Sequence, residues 1–135
     1  MIEAKLYKKI VELVPILCVD VILIYKSKFV LVKRKDEPLK GRWWIVGGRA
    51  LKDEKTLDTA KRKVLAEIGG TARNFKRIGI YEDSYMKSAW GVPTSSVSVV
   101  YLAELMNLNV TPDKTISAIK LFDELPKRFL RNFND

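Results

Sequence analysis

The sequence has no histidine and a single cysteine, Cys18, among its 135 residues. Without histidine the chain cannot build a Ser-His-Asp triad, a Cys-His pair or a zinc site with histidine ligands. One cysteine excludes a disulfide within the chain and is compatible with a reducing compartment. Any catalysis must therefore use carboxylates, the backbone, lysine, arginine, tyrosine, or a metal ion held by oxygen atoms.

Long apolar segments are also missing. The longest run, residues 14–24, contains Pro15 and Asp20 and is too short to span a bilayer. The first five residues lack the charged start and apolar core of a secretion signal. We therefore expect a cytoplasmic protein with no membrane partner. A chain of 135 residues with 47% apolar and 30% charged residues predicts one globular domain over residues 1–135.

Positive charge dominates, with 25 Lys and Arg against 16 Asp and Glu and a formal net charge of +9. Residues 26–63 hold 13 basic and 5 acidic residues. Such a field attracts polyanions such as nucleotides, although many of these lysines fit an ordinary solvated face. We single out Arg34, Arg42, Arg49 and Arg62 because a guanidinium binds phosphate oxygens in a bidentate way. No base-reading motif accompanies the charge, so nucleic acid is an unlikely partner.

Hydrophobic periodicity predicts alternating helices and strands. Helices are expected over residues 2–13, from about 57 to Gly69, and over 123–133, and strands over 16–25, 29–33, 42–46, 75–85 and 96–105. Strands around a central helix, with helices near both ends, predict a layered α/β domain.

The segment from Gly47 to Gly70 carries the chemistry. A glycine pair after a strand lets the backbone approach a ligand closely. On the following helix, positions 63, 66 and 67 share a face, where three carboxylates would attract a hard cation such as Mg²⁺. Here that face offers only one carboxylate, Glu67, next to Lys63 and Ala66.

This segment resembles the Nudix box, whose pattern is G-x5-E-x7-R-E-U-x-E-E-x-G-U. The matching residues are Gly48, Glu54, Arg62, Val64, Glu67 and Gly69, within a box region of residues 48–70. The departures are Val46, Lys63, Ala66 and Gly70. The resemblance implies a Nudix hydrolase with an α/β/α sandwich and a mixed central sheet.

The altered helix resembles that of the GDP-mannose mannosyl hydrolase branch, together with Val-Asp-Val at 19–21, Lys-Arg at 33–34 and Gly-Gly-Arg at 47–49. Members of this branch hydrolyse nucleotide sugars at the sugar carbon and release GDP. The resemblance implies that Mg²⁺ is held by the Gly47 carbonyl and Glu67. It also implies that Arg34, Arg49 and Arg62 serve the diphosphate and the leaving group, and that Asp20 helps to bind the nucleotide.

The second half of the pattern is incomplete. Pro112 and Asp113 resemble the start of that branch's catalytic loop, but Thr115 and Ile116 stand where it has a metal-binding glutamine and a histidine base. Asp113, Glu82 or Asp83 could replace the base only if the fold brings one of them to the attacking water. Lys63 could bind phosphate, but the pattern leads us to expect that Lys63→Met retains ligand binding.

Several residues have a plain structural alternative. Glu67 could form a salt bridge with Lys63, Arg62 could pair with Glu54 or Asp58, and Asp20 could belong to an internal ion pair. The aromatic residues Tyr81, Tyr85 and Trp90 could stack on a nucleobase or pack internally.

The function expected from the sequence is therefore a Mg²⁺-dependent hydrolase of a nucleotide sugar or related nucleoside diphosphate derivative. The alternative is a catalytically impaired nucleotide-binding module on the same scaffold. A homodimer is possible in either case.

Overall fold

The computed structural model describes residues 2–108, 111 and 114–134. The helices in this part of the chain are α1 (Ala4–Leu13), α2 (Thr56–Ile68) and α3 (Lys127–Asn132). The strands are β1 (Ile16–Tyr25), β2 (Lys28–Arg34), β3 (Trp43–Trp44), β4 (Val46–Arg49), β5 (Ala72–Tyr85), β6 (Thr94–Leu105), β7 (Ile116–Phe122) and β8 (Phe133–Asn134). Among the described residues, no helix is long and apolar enough to cross a membrane.

All eight strands belong to one mixed sheet, in the order β3-β2-β1-β6-β5-β8, with β4 paired to β1 and β7 to β2. Strand β1 is at the centre and runs parallel to β6 but antiparallel to β2 and β4. Residues 18–21 of β1 pair with β4, whereas residues 23–25 pair with β2. The sheet therefore forks along one edge of β1, which places the Gly47–Gly48 backbone beside Asp20.

Hydrophobic clusters cover both faces of the sheet. Successive strand side chains point to opposite faces, so Val19 and Val21 pack with Val64 and Ile68 of α2. On the other face, Ile22 packs with a cluster that includes Phe129 of α3. Helices thus lie against both faces of a mixed sheet, and the predicted α/β/α architecture is confirmed.

Helix α2 ends where the sequence predicts. Ala60, Val64 and Ile68 are buried on one side of it. Gly69 then adopts a left-handed conformation, with φ at +65°, and donates its N–H to the Leu65 carbonyl at 2.9 Å. Glycine reaches this conformation without the steric cost of a side chain, so it stops the helix.

Helix α1 forms, but it buries only part of the stripe that helical spacing predicts to face the core, which is Ile2, Leu6, Ile10 and Leu13. Leu6 and Leu13 are 56% and 72% exposed. The inward side instead carries Val11, which is buried, and Tyr7, which is partly buried. This different rotation brings Tyr7 and Val11 to the candidate site described below.

Other element bounds also differ from the prediction, and three of the differences have a structural reason. Trp44 and Ile45 both pack in the cluster that contains Ile22 and Phe129, so these neighbours do not alternate between the two faces of the sheet. The strand expected over residues 42–46 is therefore divided into β3 and β4. Strand β7 was missed, since a register shift opposite residues 33–34 of β2 disturbs its periodicity. Helix α3 starts after Pro126 instead of at residue 123.

Candidate active site

A cavity of about 280 Å³ opens on the face of the sheet opposite α2. Its residues come from α1, β1, β4, β5, β6 and two loops. They include Tyr7, Val11, Cys18, Asp20, Arg34, Gly47, Gly48, Arg49, Tyr81, Tyr85, Trp90 and Ser98. The fold therefore brings together Asp20, Arg34, Arg49 and the glycine pair, whereas Glu67 is not among the residues that line the cavity.

Asp20 lies in this cavity at the fork of the sheet, paired in register with Gly47. Burial raises the pKa of its carboxyl to about 7, and the nearby Glu67 adds to that rise. A hydrogen bond from the Ser98 hydroxyl and the charge of Arg34 act in the opposite direction. The hydrogen-bond partner of Asp20 is thus the buried Ser98 hydroxyl, and Arg34 is close enough to lower the pKa of Asp20 by its charge.

Glu67 projects from the end of α2 toward the glycine pair. Its Oε1 accepts a hydrogen bond from the Gly47 N–H at 3.2 Å, and its Oε2 lies 3.3 Å from the ammonium of Lys63. Burial raises the pKa of Glu67, while Lys63 and the Gly47 N–H oppose the rise. The salt bridge considered as the structural alternative is present, although the Glu67 side chain is only 8% exposed.

The two glycines admit no side chain without displacement. A Cβ at Gly47 would lie 2.1 Å from Oδ1 of Asp20, and one at Gly48 would lie 2.5 Å from Cε of Lys63. Neither glycine is required for a left-handed turn, because neither has a positive φ. Their role is close approach: the bare backbone of β4 separates the Asp20 carboxyl from the Lys63 side chain.

Arg34 and Arg49 face the cavity and are held differently. Arg34 donates from Nε to the Pro38 carbonyl at 2.7 Å. The Arg49 guanidinium lies over the Tyr7 ring, 4.9 Å from its centroid. Within residues 2–108, 111 and 114–134, neither guanidinium forms a salt bridge with a carboxylate. Both are therefore suited to binding an anion.

Arg62, by contrast, is not among the cavity residues. It donates to Glu54 from Nε at 2.8 Å and from Nη2 at 3.0 Å, and Nη2 also reaches the Arg49 carbonyl at 2.9 Å. Hydrogen bonds from Arg62 and Thr59 lower the pKa of Glu54 to about 2. The catalytic role of Arg62 remains a prediction. In the structure Arg62 fixes the end of β4, which carries Arg49.

Aromatic side chains form one wall of the cavity. Tyr7 and Trp90 meet edge to face with their centroids 5.0 Å apart, and Trp90 is 36% exposed. Tyr81 is buried and stacks on Phe129 at 4.8 Å, so internal packing is its observed role. Tyr7, Tyr85 and Trp90 line the cavity, so their rings are available to a ligand there.

Glu82 and Asp83, two of the residues considered as a replacement base, are not among the residues that line this cavity. Partial burial raises the pKa of Asp83, but hydrogen bonds from Arg128 and Tyr81 outweigh it and lower the value to about 2. Glu82 is exposed. Pro112 and Asp113 lie outside the described residues, and Ile116 is buried at the start of β7.

The resemblance implies a bound Mg²⁺, so the next point is whether the described residues could hold it. Mg²⁺ favours six oxygen ligands. In residues 2–108, 111 and 114–134, no three or more Cys, Asp or Glu side chains gather as a metal site. Glu67 is already paired with an ammonium, and burial favours the neutral form of Asp20. These donors do not fit a resident divalent cation, and Mg²⁺ at Gly47 and Glu67 stays a prediction.

Comparison with known proteins shows the family of this chain. The family model described as the NUDIX domain matches residues 15–130. The chain belongs to the Nudix family. The family and the enzyme class predicted from the sequence, a Nudix hydrolase, are thereby confirmed.

Individual relatives are distant. The chain is 27% identical over 119 residues to the low-salt glycan biosynthesis protein Agl8 of Haloferax volcanii, covering 87% of this chain and 76% of that protein. The fold resembles the MutT NUDIX hydrolase of Burkholderia pseudomallei, with TM-score 0.71, 20% identity and coverage of 88% and 95%. It also resembles the NUDIX domain of Shewanella oneidensis NrtR complexed with ADP ribose, with TM-score 0.69, 21% identity and coverage of 97% and 94%. Some solved relatives are longer, and the chain spans 44% of one of them.

Some residues in and around the cavity carry no clear signal in the sequence. Ser98 lies in an alternating strand and gives no local sign that its hydroxyl meets Asp20. Tyr7 lies on a helix whose predicted inward stripe was a different one. The charge of Lys63 was visible, but its burial between Gly48 and Glu67 follows from the packing of α2 on β4.

Proposed function

We propose that this Nudix protein hydrolyses a nucleotide sugar or a related nucleoside diphosphate derivative in the cavity at the fork of the sheet. The observation that carries the proposal is the position of Arg34 and Arg49, which face the same cavity as the bare Gly47–Gly48 backbone. Both guanidiniums lack a carboxylate salt bridge among the described contacts, so their donors can bind diphosphate oxygens.

The other parts of the cavity suit the rest of such a ligand. Trp90 and Tyr7 provide an aromatic surface for a nucleobase. Asp20 offers a carboxyl for hydroxyl or amino groups of the nucleotide. The binding of ADP ribose by the NrtR domain supports a nucleotide derivative as the ligand class; a sugar resembling that of GDP-mannose is the narrower hypothesis, drawn from the altered box.

The reaction that we propose breaks the bond between the sugar carbon and the diphosphate oxygen. Water adds to the anomeric carbon and loses a proton to solvent, while the electron pair of the broken bond leaves with the diphosphate. Arg34 and Arg49 stabilise the charge that develops on this leaving group. The box residues needed to activate water at phosphorus are largely absent, since Lys63 and Ala66 replace two carboxylates.

Mg²⁺ is proposed only as an ion delivered with the ligand's phosphates, which would add the oxygen ligands that the protein lacks. Glu67 and the Gly47 carbonyl are its predicted protein contacts. Calorimetry of Mg²⁺ binding in the presence of ADP tests this, with Glu67→Gln against the wild type. Unchanged Mg²⁺ binding in the variant would count against the assignment.

Turnover of a panel containing GDP-mannose, UDP-glucose and ADP-ribose, with product analysis in ¹⁸O-labelled water, tests the main proposal. We expect label in the sugar and intact nucleoside diphosphate as the other product. Arg49→Ala should lower kcat/KM about 100-fold, the loss of about 2.7 kcal/mol of transition-state stabilisation. The matched control is Lys52→Ala, because Lys52 is exposed and outside the cavity. Label in the phosphate would defeat the account.

A nucleotide-binding module is the second candidate. It is favoured by the Lys63–Glu67 pair, which occupies the last carboxylate of the altered box. Binding of nucleotides without turnover across the panel would establish it. A cytoplasmic location and a homodimer remain predictions, to be tested by cell fractionation and by the mass measured in solution.

A further inference from the structure

Lys63 lies beneath the glycine pair instead of extending into solvent. Its side chain is 20% exposed, and its ammonium is 3.3 Å from Oε2 of Glu67. The end of its aliphatic stem lies against β4, since a Cβ at Gly48 would be 3.0 Å from Nζ as well as 2.5 Å from Cε. The ammonium is therefore fixed between the last carboxylate of the box and the backbone of the glycine pair.

Two carboxyls and two cations surround this backbone. Asp20 and Glu67 supply the carboxyls. The charge of Arg34 lowers the pKa of both, and the charge of Lys63 lowers the pKa of Glu67. A divalent ion placed at Glu67 would meet the ammonium at short range in a partly buried setting, where like charges repel strongly. The site already contains a cation, which belongs to the chain itself.

We propose that Lys63 takes the place of a resident metal ion: its ammonium neutralises Glu67 in the free protein and contacts the diphosphate of a bound ligand. Binding of a diphosphate then does not depend on a divalent ion, so this proposal and Mg²⁺ at Glu67 exclude each other, and the binding measurements decide between them. The inference rests on the proposed function only in taking a diphosphate as the ligand.

The geometry allows both contacts. Lysine carries three donors on a flexible stem, so an ammonium next to Glu67 can keep that partner and offer a further N–H to a phosphate oxygen. The Lys63 side chain is 20% exposed, so the protein does not fully enclose it. Arg34 and Arg49 line the cavity on the other side of the β4 backbone, so a diphosphate that contacts all three cations extends from the cavity past the glycine pair. This proposal predicts the opposite of the expectation drawn from the sequence pattern, that Lys63→Met retains ligand binding.

The first experiment measures binding of ADP and GDP by calorimetry, in excess EDTA and in Mg²⁺. For the wild type we expect dissociation constants within about threefold of each other in the two conditions. Lys63→Met should weaken binding in EDTA about tenfold, which corresponds to about 1.4 kcal/mol. The control is Lys61→Met, an identical change at an exposed position of the same helix. Binding abolished by EDTA, absent altogether, or equal in Lys63→Met and the wild type would overturn the proposal.

The second experiment uses the metal alone. Mn²⁺ titration followed by electron paramagnetic resonance should show weak binding to the wild type and at least tenfold tighter binding to Lys63→Glu, which restores a carboxylate beside Glu67. Circular dichroism and the melting temperature verify that the variant is folded, and Lys63→Gln serves as a neutral variant if it is not. Equal Mn²⁺ affinity of a folded Lys63 variant and the wild type would contradict the proposal.

Turnover distinguishes this proposal from the proposed function. Lys63-dependent, metal-free binding without hydrolysis supports the role of the lysine and contradicts the enzyme assignment. Hydrolysis combined with nucleotide binding that requires Mg²⁺ does the opposite.

Discussion

The guanidinium of Arg128 donates two hydrogen bonds to the carboxylate of Asp83, at 2.7 Å from Nε and 2.9 Å from Nη2. The pair joins α3 to β5 at the wall of the cavity. Arg128 also lies over the Tyr85 ring, 4.6 Å from its centroid, and Tyr81 donates its hydroxyl hydrogen to Asp83. One ion pair thus positions two cavity tyrosines.

Replacing Arg128 should therefore destabilise the protein. Arg128→Met leaves Asp83 without its main partner, and we expect a loss of about 2 kcal/mol in the free energy of unfolding at pH 7. Urea denaturation measures it, with exposed Lys127→Met as the matched control. Equal losses in the two variants would show that the Asp83 pair has no particular weight.

The same pair predicts a pH dependence. The pKa of Asp83 is about 2 in the folded protein, below its ordinary value of 3.8. A lowered pKa stabilises the folded state above the ordinary value, and that contribution is lost as the pH falls from about 4 to 2. The stability difference between the wild type and Asp83→Asn should therefore shrink over this window, in urea titrations at fixed ionic strength. A difference that stays constant down to pH 2 would contradict the assignment.

Local periodicity was sufficient to predict much of this fold. The bounds of β1 agree with the sequence prediction, and α2 ends at Gly69, because in both cases neighbouring residues carry the signal. Strand β7 and the buried side of α1 depend on contacts with distant segments. The register shift between β7 and β2 disturbs the periodicity of β7. The buried side of α1 includes Tyr7, which packs against Trp90 of a distant loop.

The candidate site divides in the same way. Asp20, Arg34, Arg49 and Gly47 were identified through a spaced pattern, and the fold brings them to one cavity. Arg62 belongs to the same pattern but lies outside the cavity, where it binds Glu54. A sequence motif gives residue types at fixed intervals; it does not say which member touches a ligand and which one supports the backbone.

Arg62 should accordingly behave as a positioning residue. Its donors hold Glu54 and the Arg49 carbonyl at once, a geometry that the point charge of lysine cannot reproduce. We expect Arg62→Lys and Glu54→Gln each to lower the melting temperature, and the double variant to lose less than the sum of the two. Additive losses would show that the residues act independently. Nucleotide affinity should fall less in Arg62→Lys than in Arg49→Lys, because only Arg49 faces the cavity.

The glycine pair gives a prediction of contrast. A methyl group at Gly47 would collide with Asp20 and with backbone atoms of β1, at 2.1 Å and 2.6 Å. We expect Gly47→Ala to cost about 1–3 kcal/mol in urea denaturation, as overpacking does. At Gly48 the obstacle is the flexible end of Lys63, so Gly48→Ala should cost less than about 1 kcal/mol. Equal costs at the two positions would show that the backbone of β4 moves away from both neighbours.

The last prediction concerns the buried carboxyl of Asp20. Its pKa is about 7 in the folded protein and 3.8 in its ordinary state, mainly because of burial. Between about pH 4 and 7 the folded state holds the proton that the unfolded state has lost, so this group favours unfolding more and more as the pH rises. Asp20→Asn removes the ionisation and keeps the shape of the side chain.

The variant should therefore gain stability relative to the wild type as the pH increases from 4 to 7, by up to about 4 kcal/mol, and the difference should level off above pH 7. Urea denaturation at half-unit pH steps measures this, with Asp36→Asn, at an exposed position, as the control. Parallel stability curves for Asp20→Asn and the wild type would show that Asp20 is ionised in the folded protein across the whole range. In that case the charge of Arg34 and the hydrogen bond from the Ser98 hydroxyl would outweigh the effect of burial on the pKa of Asp20. The cavity would then hold a permanent negative charge beside the proposed diphosphate.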